Sequence, residues 1–196
     1  MAWTSRAPLL LPVILPAIGA LLTAPRAARA DGDDRAASVS AGYATFSEPG
    51  KTTNAGAATT ITPSGGGSLS GIYEHGISTD ISLRAELGGA LFYGGTSENS
   101  KNTSHLSFGG LGDVGLTFRF DVLRYVPYAF GGFGATWSTG GPLNDSWTPV
   151  IVVGGGLDVL QSRSWSWGIE GRVTGFMSDT TMFTIGLRGT IRWGYL

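Results

Sequence analysis

The chain lacks cysteine, carries little charge and has no long apolar run beyond its amino-terminal segment. Without cysteine it cannot be a disulfide-stabilised scaffold or a lipoprotein anchored through a lipidated cysteine. A helical membrane protein needs spans of about 18 or more apolar residues, and none follows the amino-terminal segment. Only 14% of its 196 residues are charged. The folded chain must therefore be stabilised by backbone pairing and side-chain packing.

Residues 1–30 have the three parts of a secretory signal. Arg6 supplies the positive region, residues 9–22 the apolar region, and Ala28-Arg29-Ala30 a small-x-small cleavage site. An uncleaved anchor remains the alternative, but the prolines of this segment make it a poor spanning helix. We therefore predict a signal peptide over 1–30 and a single domain over 31–196.

The charge balance of the mature chain bears on its partners. The signal segment holds three arginines and no acid, so the mature chain keeps 10 of the 13 basic residues against 14 acidic ones. Such a net negative charge argues against nucleic-acid binding. The sequence also lacks a phosphate-binding Gly-Lys-Ser/Thr motif and a His/Cys metal cluster. We expect no nucleic-acid partner, no cofactor and no metal.

A long stretch with period-two alternation organises the rest of the chain. From Leu106 to Phe120, apolar or small residues take one face of a strand. This alternation is much longer than an ordinary strand of about five or six residues. This is the length at which a tilted strand crosses a bilayer. The same pattern predicts eight antiparallel strands closing into an all-β, up-and-down transmembrane barrel, at 38–46, 67–75, 81–93, 106–120, 125–137, 147–160, 165–177 and 183–195.

The links between these strands alternate in length, except that the link after the seventh strand is short on the otherwise long side. Polar loops are predicted at 47–66, 94–104 and 138–146, and shorter turns at 76–80, 121–124, 161–164 and 178–181. Outer-membrane barrels have long extracellular loops and short periplasmic turns. We therefore expect both termini in the periplasm and the three long loops at the cell surface, where they form the variable working surface for a possible extracellular ligand.

Alternation alone does not tell which face is buried. A soluble lipocalin-like barrel would enclose the apolar face. Against that alternative, the polar face is rich in small residues that fit a narrow eight-stranded interior, and both lysines fall in loops. Aromatic residues also collect at both ends of the strands, as in interfacial girdles. We therefore predict that the apolar face meets lipid.

The charged residues of the polar face are then interior. We expect them to form a structural charge network that plugs the barrel, with Glu74 meeting Arg84 and Glu170 lying near Arg192, because enclosed charges persist when they are paired. A selectivity filter or proton path is the functional alternative. The set contains five acids and five arginines: Glu74, Arg84, Glu86, Asp113, Arg119, Asp158, Glu170, Arg172, Arg188 and Arg192.

One strand has an ambiguous pattern. In 125–137, Tyr128 and Phe130 fall on one parity while Phe133 and Trp137 fall on the other. A bulge near Gly131-Gly132 would let the strand change face. The face assignment of this strand stays open at the level of sequence.

Residues 124–134, Arg-Tyr-Val-Pro-Tyr-Ala-Phe-Gly-Gly-Phe-Gly, follow the strand that ends at Phe120. They resemble the Pro-Tyr-x-x-x-Gly-x-Gly stretch of the OmpA/OmpX-like outer-membrane β-barrel family, which includes opacity-type proteins. The resemblance implies an eight-stranded monomeric barrel among outer-membrane lipids and lipopolysaccharide, inserted by the barrel-assembly machinery. It also implies loops used for adhesion, serum resistance or recognition. Members commonly end in an aromatic residue, whereas here Leu196 follows Tyr195.

A structural or surface-interaction role has two alternatives. Some eight-stranded barrels modify lipid A, and His105-Leu106-Ser107 puts two potential triad members on one strand face, with Glu98 as a possible third. A polar strand end explains the pair equally well, so we expect no enzymatic activity. The runner-up is a narrow channel or small-solute porin.

Overall fold

The structure, a computed structural model, describes residues 34–47, 64–98, 101–120, 124–139, 146–176 and 181–194. The predicted signal segment 1–30, most of the predicted loop 47–66 and the terminal Leu196 lie outside these ranges. The signal cleavage and the effect of Leu196 on assembly therefore stay predictions.

Eight antiparallel strands form a closed barrel in sequence order, and the first strand pairs with the last. This confirms the predicted fold. Within the described ranges, no helix is long and apolar enough to cross a membrane. The strands are β1 Arg35–Ser47, β2 Ser64–Gly76, β3 Ile81–Glu98, β4 Lys101–Arg119, β5 Tyr125–Thr139, β6 Ser146–Leu160, β7 Trp165–Phe176 and β8 Thr181–Trp193.

The links that the structure describes between β2 and β3 and between β6 and β7 are tight. The amide of Ile77 donates to the carbonyl of Ile81 at 2.8 Å, and the amide of Gln161 donates to that of Trp165 at 3.1 Å. We call the end of the barrel that carries these links the turn side, and the opposite end the loop side. Because β1 begins and β8 ends at the turn side, both ends of the described barrel lie there.

The two faces of the barrel differ in the way that the alternation predicts. On β8, Leu187 is 64% exposed on the outer surface, while its neighbour Arg188 is 2% exposed in the lumen. The charged residues and many small residues face inward, and most of the bulky apolar residues face outward, so the predicted face assignment is confirmed. Exposed aromatic residues form two bands: Phe118, Phe120, Tyr125, Trp165, Trp167 and Trp193 on the turn side, and Tyr93, Phe108, Trp137, Trp147 and Phe183 on the loop side.

The predicted loop 94–104 is wrong for most of its length. β3 continues to Glu98 and β4 begins at Lys101, and these two residues are register partners. The residues of this segment are polar because no apolar face is needed there. The pairing of β3 with β4 nevertheless continues through the segment without a break. The pairing of β3 with β2 ends at Tyr93, and that of β4 with β5 ends at Phe108. The described β3–β4 hairpin thus extends beyond its neighbours' pairing.

No bulge interrupts β5. Its register with β6 is continuous from Tyr125 to Ser138, so the strand keeps one inward parity throughout. Tyr128 and Phe130 are therefore both buried in the lumen. They fit because their register partners on β6 are glycines, Gly156 and Gly154, whose missing side chains leave room for the rings. The outward Phe133 and Trp137 belong to the other face of the same regular strand.

Candidate functional site

The candidate site is the lumen, where the structure places all ten residues of the predicted charge network. They come from β2, β3, β4, β6, β7 and β8, and Arg119 at the turn-side mouth is half-buried. The other nine are buried: Glu74, Arg84, Glu86, Asp113, Asp158, Glu170, Arg172, Arg188 and Arg192.

Two opposite walls of the barrel are joined across its centre. β3 presents Arg84 and Glu86 at alternate positions, and β7 presents Glu170 and Arg172 in the reverse order of charge. Arg84 pairs with Glu170 at 3.1 Å, and Arg172 pairs with Glu86. Arg84 also bonds to Glu86 at 2.6 Å along its own strand. Since β3 and β7 are four strands apart in a ring of eight, these ion pairs cross the lumen.

The network continues from this centre toward the turn side. Arg188 on β8 bonds to Glu170 at 3.1 Å and to Glu74 at 2.8 Å. Glu74 also accepts hydrogen bonds from Arg119 at 2.7 Å and from Thr117 at 2.9 Å. The result is one continuous chain of ion pairs from Arg172 to Arg119, in which charges of opposite sign alternate. Such a chain gives each buried charged side chain a partner of opposite charge. Burying any one of these charges alone would cost much free energy.

A separate pair lies near the turn-side ends of β6 and β8. Arg192 bonds to Asp158 at 2.8 Å, and Ser166 bridges them, accepting from Arg192 at 2.7 Å and donating to Asp158 at 3.4 Å. The predicted proximity of Glu170 and Arg192 is therefore wrong: Glu170 lies opposite Gly186 in the β7–β8 register. That register could not be known from the residues alone.

The predicted contact between Glu74 and Arg84 is correct as a register pairing but wrong as an ion pair. Glu74 and Arg84 are register partners across β2 and β3. Their side chains nevertheless bond elsewhere, Glu74 to Arg188 and Arg119, and Arg84 to Glu86 and Glu170. In a narrow lumen, a long arginine side chain reaches acids at the centre more readily than it reaches its direct register partner.

Several uncharged residues of the network were missed by sequence reasoning. Tyr128 donates to Glu170 at 3.1 Å, and the guanidinium of Arg84 lies 3.7 Å from the ring centre of Phe130. Arg188 donates to Ser38 at 2.9 Å and lies 4.8 Å from the ring centre of Tyr128. The signal that could have found the two aromatic residues is their inward parity on a strand without a bulge.

The loop-side part of the lumen has a different character. Phe46 and Phe92 meet edge to face at 5.1 Å, and together with Ala44, Ala90 and Met182 they form a buried apolar cluster. A second buried cluster, which contains Leu111, Tyr128, Phe130, Val150 and Val152, reaches from the charged centre, where Tyr128 and Phe130 contact Glu170 and Arg84, toward the loop side. The lumen is therefore charged toward the turn side and apolar toward the loop side.

Other chemistry has little support in the described part of the chain. Ser107 is buried on the inward face of β4, while the side chains of its potential partners, His105 and Glu98, lie outside the description. Among the residues that the structure describes, no group of three or more His, Cys, Asp or Glu could hold a metal ion. The expected absence of catalysis and of metal stays a prediction.

Comparisons with known proteins add evidence at the level of fold. No protein-family model matches the chain, and no curated protein is similar in sequence. Among solved structures, Ail, the attachment invasion locus protein of Yersinia pestis, aligns with a TM-score of 0.54 at 14% identity, covering 84% of this chain and 100% of Ail. The chain has the fold of outer-membrane β-barrels.

Two further barrels show the same likeness. Neisserial surface protein A aligns with a TM-score of 0.56 at 12% identity over 81% of this chain and 97% of that protein. The outer membrane protein OprG from Pseudomonas aeruginosa aligns at 0.55 and 11% identity over 82% of this chain and 97% of OprG. The predicted resemblance to eight-stranded outer-membrane barrels is thus confirmed for the fold.

Proposed function

We propose that the protein resides in the outer membrane as a monomeric barrel with a closed lumen, and that it acts at the cell surface through its loop-side segments. The observation that carries this proposal is the inverted arrangement of the barrel, with bulky apolar residues outside and ten charged residues inside. A lipid-facing arginine near the bilayer midplane costs roughly 2–4 kcal/mol. The enclosed arginines avoid that cost, and the outer surface suits lipid acyl chains.

The closed lumen rests on the ion pairs between β3 and β7. An eight-stranded barrel has an interior only just wide enough for its own side chains, and here Arg84 and Arg172 span it to reach acids on the far wall. Solute passage would require these pairs to separate in a region of low dielectric constant. The network therefore serves as a structural plug, and a channel role is disfavoured.

The surface-interaction role rests on the loop side of the barrel. The β3–β4 hairpin carries its backbone pairing beyond Tyr93 and Phe108, where the described pairing with β2 and β5 ends. Extended strand edges and the predicted loops 47–66 and 138–146 are sites where an extracellular ligand can bind. The names of Ail, an attachment and invasion protein, and of the neisserial surface protein are consistent with such a role. The remaining partners are outer-membrane lipids, lipopolysaccharide and the barrel-assembly machinery.

Cysteine labelling in intact cells tests location and orientation together, because the native chain has no cysteine of its own. The variant Asn102→Cys places a thiol on the loop-side hairpin, and Ser162→Cys places one in the turn between β6 and β7. We expect a membrane-impermeant maleimide to label Asn102→Cys alone in intact cells and both variants after the outer membrane is permeabilised. Labelling of Ser162→Cys alone in intact cells would reverse the orientation, and a soluble periplasmic fraction containing the protein would overturn membrane residence.

Planar-bilayer recording tests the closed lumen. The purified barrel should insert without discrete conductance steps, and insertion is checked by faster gel migration of the unboiled sample. Reproducible ohmic conductance steps from the wild-type protein would contradict a closed lumen and favour the channel alternative.

A further inference from the structure

A small cavity lies in the loop-side half of the lumen, above the ion pairs that join β3 to β7. Apolar side chains form most of its wall, among them Phe46, Phe92, Leu111 and Met182. The space open to the centres of water-sized groups is about 40 Å³. Since one buried water needs roughly 10–15 Å³ measured in this way, the cavity has room for about three water molecules.

Three polar side chains at the floor of this loop-side cavity have an atom without a partner. Arg172 and Thr184 line the cavity and are register partners on β7 and β8. Asp113 takes the next inward position of β4 after Leu111, and it interacts electrostatically with Arg172. All three are more than nine-tenths buried. Nevertheless, Arg172 Nε, Thr184 Oγ1 and Asp113 Oδ2 have no hydrogen-bond partner among the described residues.

The charges around this floor balance, so they do not call for an ionic ligand. The bonded chain that ends at Arg172 has four arginines and three glutamates, and Asp113 supplies the fourth acid. The four arginines are Arg84, Arg119, Arg172 and Arg188, and the four acids are Glu74, Glu86, Glu170 and Asp113. An added anion or cation would leave an enclosed region with an uncompensated charge, which is costly.

The hydrogen-bonding types of the three unpartnered atoms differ, and this difference selects the occupant. The Nε–H of Arg172 only donates, an ionised Asp113 oxygen only accepts, and the Thr184 hydroxyl does either. A carboxylate could not donate to Asp113, and a metal cation could not accept from Arg172. Water is neutral, donates and accepts, and fits the volume. Ordered buried waters typically make about three hydrogen bonds to groups of this kind.

We propose that the loop-side cavity is a hydration site, in which ordered water accepts from Arg172 Nε, exchanges a hydrogen bond with the Thr184 hydroxyl and donates to Asp113 Oδ2. Asp113 then joins the ion-pair network through water, and the loop-side end of the plug consists of side chains and water together. This inference deepens the closed lumen of the proposed function. A dry cavity would leave the ion pairs across the centre in place, so the hydration test and the conductance test fail separately.

Contact between water and the Met182 methyl group is the direct readout. Met182 lines the cavity, and the chain has only three methionines. The full barrel is labelled with ¹³C at the methionine methyl groups in deuterated detergent micelles, and Met182→Leu assigns the resonance. We expect a nuclear Overhauser cross-peak between water and this methyl group, with the sign that long-lived bound water gives. No cross-peak, or the sign of rapidly exchanging water, would overturn the proposal.

Xenon under pressure tests the dry alternative on the same sample. An empty apolar cavity stays dry and binds xenon, whereas a hydrated polar floor disfavours it. We expect no saturable xenon shift of the Met182 methyl resonance in the wild type. A saturable shift would show that the cavity is dry and would overturn the proposal.

Filling the cavity distinguishes water from the Thr184 hydroxyl proton, which exchanges with water and can give a similar cross-peak. Gly109→Val fills the space, because a Cβ at Gly109 meets its nearest side chain, Phe92, at an ordinary 3.7 Å. We expect the Met182 cross-peak to disappear although Thr184 is unchanged. Its control, Gly71→Val, adds the same side chain where a Cβ meets nothing within 4 Å, and should keep the cross-peak. Persistence of the cross-peak in folded Gly109→Val would assign it to the hydroxyl and overturn the proposal.

Removing one polar partner tests the floor itself. Thr184→Val keeps the side-chain shape without the hydroxyl, and should weaken the water cross-peak at Met182 at least about twofold, because one of the three bonding groups is lost. Thr45→Val, on the outward face of β1, is its control and should leave the cross-peak unchanged. Folding of each variant is checked by gel migration before boiling. A cross-peak of equal intensity in folded Thr184→Val and Thr45→Val would show that the assigned floor does not hold the water.

Discussion

Arg84 on β3 and Glu170 on β7 lie on opposite walls of the lumen and are joined by two hydrogen bonds of 3.3 and 3.1 Å. Glu170 is the hub of the network, because it also accepts from Arg188 and from Tyr128, each at 3.1 Å. A single carboxylate therefore connects three strands of the barrel wall, β3, β5 and β8, to the strand that carries it.

Glu170→Gln should destabilise the barrel while preserving its shape. Two buried arginines lose a charged partner, and removing one member of a buried ion pair costs about 3–5 kcal/mol. The free energy of unfolding, measured by urea titration in phospholipid vesicles, should fall by about 3 kcal/mol. Asp80→Asn makes the same chemical change at an exposed turn residue and should stay within about 0.5 kcal/mol of the wild type. Equal stability of the two variants would contradict a stabilising role for the hub.

A pair of glycine variants tests the packing of the inward aromatic residues. A Cβ at Gly154 would clash with the ring of Phe130 and with the carbonyl oxygen of Gly171, whereas a Cβ at Gly171 meets nothing within 4 Å. Gly154→Ala should therefore lose about 1–3 kcal/mol through overpacking. Gly171→Ala should be neutral or slightly stabilising, since it reduces the freedom of the unfolded chain. The measurement is the same urea titration, and similar losses for both variants would argue against the close packing around Gly154.

Charge substitution on the outer face tests contact with lipid. Leu187 lies near the middle of β8 and points outward. Leu187→Arg should cost roughly 2–4 kcal/mol in a bilayer, while Ile77→Arg, at an exposed turn residue, should cost roughly 0–1 kcal/mol. The free energy of unfolding from vesicles gives both values. A penalty at Leu187 no larger than that at Ile77 would indicate that this face does not meet acyl chains.

A double-mutant cycle distinguishes the observed partner of Arg192 from the one that the sequence predicted. Arg192→Gln combined with Asp158→Asn should give a coupling energy of about 1–3 kcal/mol, because the two side chains bond directly. The same cycle with Glu170→Gln should give less than about 0.5 kcal/mol, since Glu170 belongs to a separate chain of ion pairs. The opposite ranking of the two couplings would favour the partner predicted from the sequence.

Much of the fold follows from alternation, which is a local property. The parity of Leu187 and Arg188, for example, assigns each to a face as soon as one face is known to meet lipid. The extension of β3 and β4 to Glu98 and Lys101 was missed because a polar segment outside the membrane has no apolar face to mark it as a strand. The inward position of Phe130 could not be decided from the sequence, because the residues are compatible with two structures. One has a bulge in β5, and the other is a regular strand in which Phe130 faces a glycine on β6.

Which charges bond to one another could not be predicted. The bonded partners lie on the same strand, on adjacent strands, two strands apart or on opposite walls of the barrel, so their contacts depend on strand tilt and register around the whole ring. Glu74 and Arg84 illustrate this, since they are register neighbours and each bonds to residues from other strands. The residues of the inward face predict that the charges in the lumen balance. Which acid pairs with which arginine depends on the three-dimensional register.

The distances along the chain between these partners have a consequence for assembly. Arg84 and Glu170 are 86 residues apart, and Glu74 and Arg188 are 114 apart. Ser38 and Thr190, bonded at 2.9 Å beside the seam between β1 and β8, are 152 apart. A chain that has inserted only its first strands holds acids and arginines whose counterions have not yet arrived, so partial insertion gains little. Insertion should therefore be highly cooperative and slow for a chain of this length, since contacts remote in sequence form late, and arrival of β8 neutralises the interior and closes the ring in a single event.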